Sequence, residues 1–275
     1  MMEKIKLMQF YLILRRKIVT RALFFTLFYN IASISPTFAS LTDTIKIIKP
    51  SIVGVGVYNP LGSPRAQLRG TGFIIGDNGL VVTNHHVLEK FLDDKERMVI
   101  FYGTGRKPEI LPVEVVAKDE EHDLAILRIE QVKKVTDLNM KGLKITGDSK
   151  LEEGARVAFT GFPIGAVLGL YPVTHEGIIS AVTPVAIPAS NARQLNLATL
   201  KRLKKPYFVY QLDATAYPGN SGSPVYNPDT GEVVGIINKV FVKQSKEAVL
   251  SNPSGITYAI PSEYLKTLLM TLNVK

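Results

Sequence analysis

Beyond residue 40, the apolar residues of this chain fall into short runs separated by polar and turn-forming breaks. A first set comprises Ile52–Val57, Gly72–Ile75, Leu80–Val82, Met98–Phe101, Val113–Val116 and Leu124–Ile129. A second comprises Arg156–Thr160, Gly177–Val182, Tyr207–Leu212, Val225–Tyr226, Val233–Asn238 and Thr257–Ile260. Their lengths and flanking turn signals predict strands. Asn78-Gly79 between two such runs predicts a hairpin, and Asn227-Pro228-Asp229-Thr230-Gly231 predicts another tight connection. Many short strands with regular turns suit a barrel or sandwich, not alternating βαβ units. The stretch Gly142–Gly154 lacks a strand pattern and divides the chain into two β units.

Helices are predicted only near the ends. Leu41–Lys49 is amphipathic and stops at Pro50. Ser262–Leu272 places Leu265, Leu268, Leu269 and Leu272 on one face. The 275 residues are 46% apolar, enough for a substantial core. There is no cysteine, which excludes disulfides, thiolate chemistry and zinc–thiolate sites.

The amino terminus differs in character. Lys4, Lys6, Arg15, Arg16, Lys17 and Arg21 precede an apolar run from Ala22 to Ile34, and Pro36-Thr37-Phe38-Ala39 ends in small residues. This pattern predicts a secretory signal over residues 1–39, cleaved after Ala39, and a mature domain over 40–275. The alternative is an uncleaved membrane anchor, although the run is shorter than the ~20 residues that span comfortably. The leader's six bases and one acid supply +5 of the formal +9, leaving about +4 for the remainder. That balance, without a basic stripe carrying aromatics, argues against nucleic acid as a partner. The basic run 201–205 reads as a solvated surface.

The chemistry centres on Tyr217-Pro218-Gly219-Asn220-Ser221-Gly222-Ser223-Pro224-Val225. Glycine on either side of Ser221 allows a tight turn that exposes Oγ. The same turn can aim the N–H groups of Gly219 and Ser221 at a developing oxyanion. A G-x-S-G turn alone is common, so a base and an orienting acid are needed upstream. The pair His85-His86 follows the predicted hairpin. Asp123 heads the apolar run Leu124–Leu127, where a carboxylate can be desolvated and bonded to an imidazole. Asp119, Glu120 and Glu121 are expected to be solvated. The chain order histidine, aspartate, serine among β elements is that of two-barrel serine proteases.

With these residues in view, the chain resembles the HtrA (Deg) serine proteases. G-T-G-F-I-I and G-L-V-V-T-N-H-H-V, within Gly70–Val87, are similar to that family's histidine segment and select His86 over His85. A-K-D-E-E-H-D-L-A-I-L-R (117–128) resembles its aspartate segment and selects Asp123. Q-L-D-A-T-A-Y-P-G-N-S-G-S-P-V resembles its serine segment. G-D-S-K-L-E-E-G-A-R-V, G-F-P-I-G, G-I-I-S-A-V, G-E-V-V-G-I-I-N and G-I-T-Y-A-I-P-S resemble strands of its second barrel.

The resemblance implies an all-β fold of two six-stranded barrels of the chymotrypsin type, about 50–145 and 146–262, with short terminal helices, the last over 262–272. It implies a catalytic triad of His86, Asp123 and Ser221, and an oxyanion hole from Gly219 and Ser221. The implied activity is a periplasmic or secreted serine endopeptidase acting on polypeptides, with protein quality control as its setting. No metal or cofactor is expected, and the membrane is a partner only if the leader is retained. An oligomer is not readable. The alternative is a non-catalytic binding or chaperone-like protein on the same fold.

Two departures limit the carry-over. HtrA proteins normally carry PDZ domains after the protease, and the expectation here is the protease domain only. G-N-S-G-S-P-V is closer to bacterial glutamyl endopeptidases, which hold glutamate with a pocket histidine, but Gly235-Ile236-Ile237-Asn238-Lys239 has none. The pocket floor is expected from Ala214, Thr215 and Ala216, and one wall from Ile237, Asn238 and Lys239. These residues predict a small or medium apolar side chain before the cleaved bond, while Lys239 keeps an acidic preference open. Ser51-Ile52-Val53-Gly54 resembles an activated zymogen terminus, but Asn220 lacks the charge to pair with a freed amine. The basic segment 189–205 is a candidate regulatory loop, with an ordinary surface excursion as the favoured reading.

Overall fold

A computed structural model describes residues 40–88, 95–131, 140–146, 150–163, 169–185, 206–238 and 255–272, with isolated positions elsewhere. The chain divides into two compact units, Met1–Phe38 and Ala39–Lys275. In the first, only Met8, Tyr11, Arg15, Arg16, Lys17 and Arg21 are described, so the predicted cleavage point at Ala39 and most of the leader lie outside the described residues. The candidate loop 189–205 lies outside them too. Among the described residues, no helix is long and apolar enough to cross a membrane.

The second unit opens with helix α1 (Leu41–Ile48). Ser40 caps it, its hydroxyl accepting from the Thr42 N–H at 3.2 Å. Pro50 cannot continue an α-helix, and the chain tightens into a 3-10 turn at Lys49–Ser51. Six strands follow: β1 (Ile52–Tyr58), β2 (Ala66–Ile75), β3 (Leu80–Thr83), β4 (Arg97–Tyr102), β5 (Glu109–Asp119) and β6 (Leu124–Ile129). They close into an antiparallel barrel in the order β1-β2-β3-β6-β5-β4. The hairpin predicted at Asn78-Gly79 joins β2 to β3, with Gly79 at φ 72, a left-handed angle that glycine takes without a Cβ penalty.

The second six are β7 (Arg156–Gly161), β8 (Val173–Pro184), β9 (Phe208–Asp213), β10 (Pro224–Tyr226), β11 (Val233–Asn238) and β12 (Ile256–Pro261). They close as β10-β11-β12-β9-β8-β7. Between the barrels, the predicted divide bridges both: Leu143 N–H donates to Ile74 O at 2.8 Å and Thr146 N–H to Val233 O at 2.9 Å. Helix α2 (Ser262–Leu272) ends the unit.

Among the described residues, three large apolar cores form, beside a small cluster of Val185, Tyr207 and Val209. One fills the first barrel, around Val53, Val55, Ile74, Val81, Ile100 and Leu127. Another fills the second, around Val157, Phe159, Ile179, Leu212, Val225 and Ile237. The largest joins the two barrels and the helices, with Phe73, Val82 and Leu124 meeting Phe162, Tyr226, Ile260, Leu265 and Leu268. Alternation along β2 explains the division: Phe73 faces the barrel seam while Ile74 faces the first barrel's interior.

Candidate active site

His86 sits in a 3-10 turn, His85–Val87, just after β3. Asp123 sits between β5 and β6 and is the one described non-glycine residue with positive φ, at 54. His86 Nδ1 lies 2.6 Å from Asp123 Oδ2, and the His86 backbone N–H donates to Asp123 Oδ1 at 2.8 Å. Both carboxylate oxygens therefore accept from one residue. An acceptor at Nδ1 keeps the proton there and leaves Nε2 as the basic nitrogen. The aspartate carbonyl accepts from Asn84 Nδ2 at 3.0 Å and from the His85 N–H at 3.2 Å. His85 Nε2 lies 3.9 Å from the Glu120 carboxylate and takes no part in the Asp123 side-chain pair.

Ser221 lies in the connection from β9 to β10 and is 6% exposed. The Asn220 N–H donates to Tyr217 O at 3.0 Å, closing a turn with Pro218 and Gly219 at its centre. Gly219 has φ 102, the angle that the third residue of a type II turn requires. Among the described residues, no acceptor meets the N–H of Gly219 or of Ser221. Donors without a protein acceptor, here on either side of Asn220, are what an oxyanion hole requires. No hydrogen bond joins Ser221 Oγ to His86 Nε2 among the described contacts. Such bonds are often long without substrate.

The two halves of the site come from different barrels, and Thr71 of β2 fastens them together. Its N–H donates to Ser221 O at 2.8 Å and its hydroxyl to Gly219 O at 2.7 Å. That hydroxyl also accepts from the Phe162 N–H at 3.0 Å, while Thr71 O accepts from the Thr83 hydroxyl at 2.8 Å. Glycines permit this closeness. A Cβ on Gly222 would lie 2.0 Å from Thr71 O, and one on Gly70 would lie 2.8 Å from Val87 Cγ2 and 3.0 Å from Ser221 O. Gly70 thus touches both the residue after His86 and the nucleophile candidate. Sequence reasoning missed Thr71; the only signal was its place between two glycines in Gly70-Thr71-Gly72.

Thr71→Val keeps the shape but leaves the part-buried Gly219 O and the buried Phe162 N–H without their partner, at a cost of up to about 1–3 kcal/mol each. We expect kcat to fall roughly ten- to a hundredfold, less than outright loss of an oxyanion donor. Steady-state kinetics on a chromogenic peptide checks it, and an unchanged kcat would remove Thr71 from the positioning of the turn.

The expected pocket residues lie around this turn. Ala214 is 9% exposed, with its N–H donating to Gly255 O. The Thr257 hydroxyl donates to Ala214 O at 2.6 Å and accepts from the Ala216 N–H at 3.0 Å. Thr215 and Ala216 are half-buried. The Ile237 side chain fills the second barrel, so its backbone is what faces the serine segment: its N–H donates to Ser223 O and its carbonyl accepts from Gly222. Asn238 is buried, and Lys239 lies outside the described residues.

One expectation needs correction. Asp119 is not a freely solvated acid, and it is less exposed than its neighbours Glu120 and Glu121. It is half-buried and bonded to His122, because the β5–β6 turn folds back on its own carboxylate.

His175 was also missed as a site neighbour. Its ring stacks on Phe159 at 4.9 Å and lies 6.3 Å from Tyr217. Burial pushes its imidazole below the ordinary value near 6.5. The folded state then resists protonation, so its stability contribution is full above about pH 6.5 and declines as pH falls below that. We expect the melting temperature to drop between pH 7.5 and 5.5, and to drop less in His175→Phe, which keeps the stack. Equal pH slopes in the two proteins would contradict this.

With this geometry in hand, three comparisons are informative. The profile of the trypsin-like peptidase domain matches residues 70–236. A "Probable periplasmic serine endoprotease DegP-like" from Halomonas elongata is 31% identical over 192 residues, covering 70% of this chain and 32% of the relative. The chain spans about a third of the length of the curated relatives it matches. The HtrA-type protease AlgW, solved with a tripeptide, superposes with a TM-score of 0.59 at 22% identity, covering 85% of this chain and 64% of that one. A serine endoprotease from Yersinia pestis gives a TM-score of 0.55 at 24% identity, covering 85% and 66%. These two structural likenesses concern the fold.

Proposed function

The chain belongs to the trypsin-like peptidase domain family, and from that premise we propose that it is a serine endopeptidase working through Ser221, His86 and Asp123. One observation carries the reading: His86 holds both oxygens of Asp123, and the loop bearing Ser221 and two unpartnered N–H groups is fastened beside it by Thr71.

Ser221 Oγ attacks the carbonyl carbon of a peptide bond while His86 Nε2 takes its proton. Asp123 holds the imidazole in the tautomer that leaves Nε2 free and stabilises the imidazolium. The N–H groups of Gly219 and Ser221 donate to the oxyanion. Collapse of the tetrahedral species passes the proton from His86 to the leaving amine and leaves an acyl-serine. Water, deprotonated by His86, then releases the acid and restores the serine.

Small Ala214, Thr215 and Ala216 favour small or medium apolar side chains before the cleaved bond. The likeness to periplasmic DegP-like endoproteases supports polypeptides as substrates and a periplasmic or secreted site. A signal over residues 1–39 and a role in protein quality control belong to the same proposal.

Casein digestion with mass-spectrometric mapping of new termini tests this reading. Internal cleavage after small or medium apolar residues is the expected result. A folded protein that yields no new termini at any load sinks the endopeptidase reading and leaves a non-catalytic polypeptide-binding role on this fold.

A further inference from the structure

We propose that His122 is a positioning residue: with Asp119 it forms a second, non-catalytic histidine–aspartate pair that holds Asp123 in place from the side of the second barrel. The inference rests on the triad reading above.

Asp123 has a left-handed backbone, uncommon for a non-glycine residue although aspartate tolerates it better than most. On one side it is held by the first barrel, through Asn84, His85 and His86. On the other side the chain enters through the turn 119–122. Asp119 Oδ1 accepts from the N–H groups of Glu121 and His122, each at 3.0 Å, and its Oδ2 lies 2.6 Å from His122 Nδ1. One carboxylate therefore closes the turn and orients the ring of the residue immediately before Asp123. Burial pushes the Asp119 carboxyl up, but the His122 bonds and charge and the Glu121 N–H outweigh it and hold it below the ordinary range. It remains an ionised acceptor there.

The His122 ring is gripped from outside the first barrel. It stacks on Tyr264 of α2, with centroids 4.1 Å apart and planes at 17°, and meets Tyr207 edge-on at 4.8 Å and 69°. Both tyrosines are anchored in the second barrel's framework. Tyr264 OH accepts from the Phe208 N–H at the start of β9, and Tyr207 O accepts from the Val185 N–H just after β8. A bond at Nδ1 and a stack on the ring face together fix the plane of the imidazole. A continuous set of contacts therefore runs from α2 and the β8–β9 ends, through His122 and its turn, to Asp123 and His86. Neither His122 nor Asp119 touches the reacting atoms.

His122→Phe keeps the stack and loses the bond to Asp119; His122→Ala and Tyr264→Ala lose the stack. We expect kcat to fall about tenfold in His122→Ala, with KM within about twofold, because a sub-ångström displacement of a catalytic group is costly. A less well placed Asp123 stabilises the His86 imidazolium less, so the acid limb of the kcat/KM profile moves to lower pH. Tyr264→Ala follows His122→Ala, and His122→Phe shows a smaller loss with a shift of the same sign. If His122→Ala does not fold, His122→Phe decides the matter. Wild-type kcat and an unmoved acid limb in folded His122→Phe, or a loss confined to KM, would overturn the inference. An inactive wild type would instead overturn the triad reading.

Discussion

Ser221→Ala is expected to lower kcat for peptide hydrolysis by about a millionfold, the scale seen when the nucleophile of such a triad is removed. The change deletes one oxygen at a site 6% exposed, next to backbone that Thr71 already holds. The Gly219 turn, the Thr71 bonds and the His86–Asp123 pair do not depend on Oγ, so the variant should melt close to the wild type. Residual turnover of 10³–10⁴ over water is expected from the oxyanion donors and binding alone. Matched melting curves with single-turnover assays separate loss of chemistry from loss of fold. A variant with even a tenth of wild-type kcat would exclude an acyl-serine at this position.

Asp123→Asn is expected to cost about 10⁴ in kcat, a loss that a change of one atom would not otherwise cause. Both carboxylate oxygens accept from His86, one from the backbone N–H and one from Nδ1. An amide has one acceptor oxygen. If that oxygen meets the backbone N–H, its NH₂ faces Nδ1, which must then give up its proton, and Nε2 becomes the protonated nitrogen. The base is then in the wrong tautomer. If the amide flips, the backbone N–H of His86 faces a donor and the turn shifts. The first outcome removes the base and the second displaces it, and both leave Ser221 untouched. A KM near the wild-type value with kcat down by thousands is the expected split. A loss confined to KM would place Asp123 outside the chemistry.

Much of this arrangement could be read from local signals. Asn78-Gly79 announces its hairpin because glycine supplies the left-handed residue that closes the loop, at φ 72, and the strand runs carry their own apolar pattern. Pro50 stops α1 as expected, and Leu265 and Leu268 of α2 are buried together in the seam between the barrels. The fold expected from the family resemblance, two closed six-stranded barrels, is the one observed. Longer strands than expected, such as β5 over Glu109–Asp119 and β8 over Val173–Pro184, include polar and exposed positions that an apolar pattern does not mark. Both carry irregularities in register, between Val115 and Ala117 and between Ile179 and Ala181.

The less legible parts depend on distant contacts. Thr71 and Gly219 are 148 positions apart, and nothing local to Thr71 says that its hydroxyl holds the serine loop. Asp119 reads as solvated because its sequence neighbours are polar, while its carboxylate is held by His122, whose ring packs against Tyr207 and Tyr264. His175 reads as one more strand residue until Phe159 of the paired strand lies against it. The Thr71 contact is created by barrel packing, the His175 stack by strand pairing, and the Asp119 bond by a local turn whose histidine meets Tyr207 and Tyr264; none follows from periodicity along the chain.

The central claim, that Ser221 is an activated nucleophile, is tested most directly by treating the folded protein with a fluorophosphonate and measuring its intact mass, followed by peptide mapping. The account predicts one phosphonyl group per chain, attached to Ser221, absent in Ser221→Ala and acquired far more slowly in His86→Ala. A folded wild-type protein that gains no mass, or gains it at another residue, would contradict it.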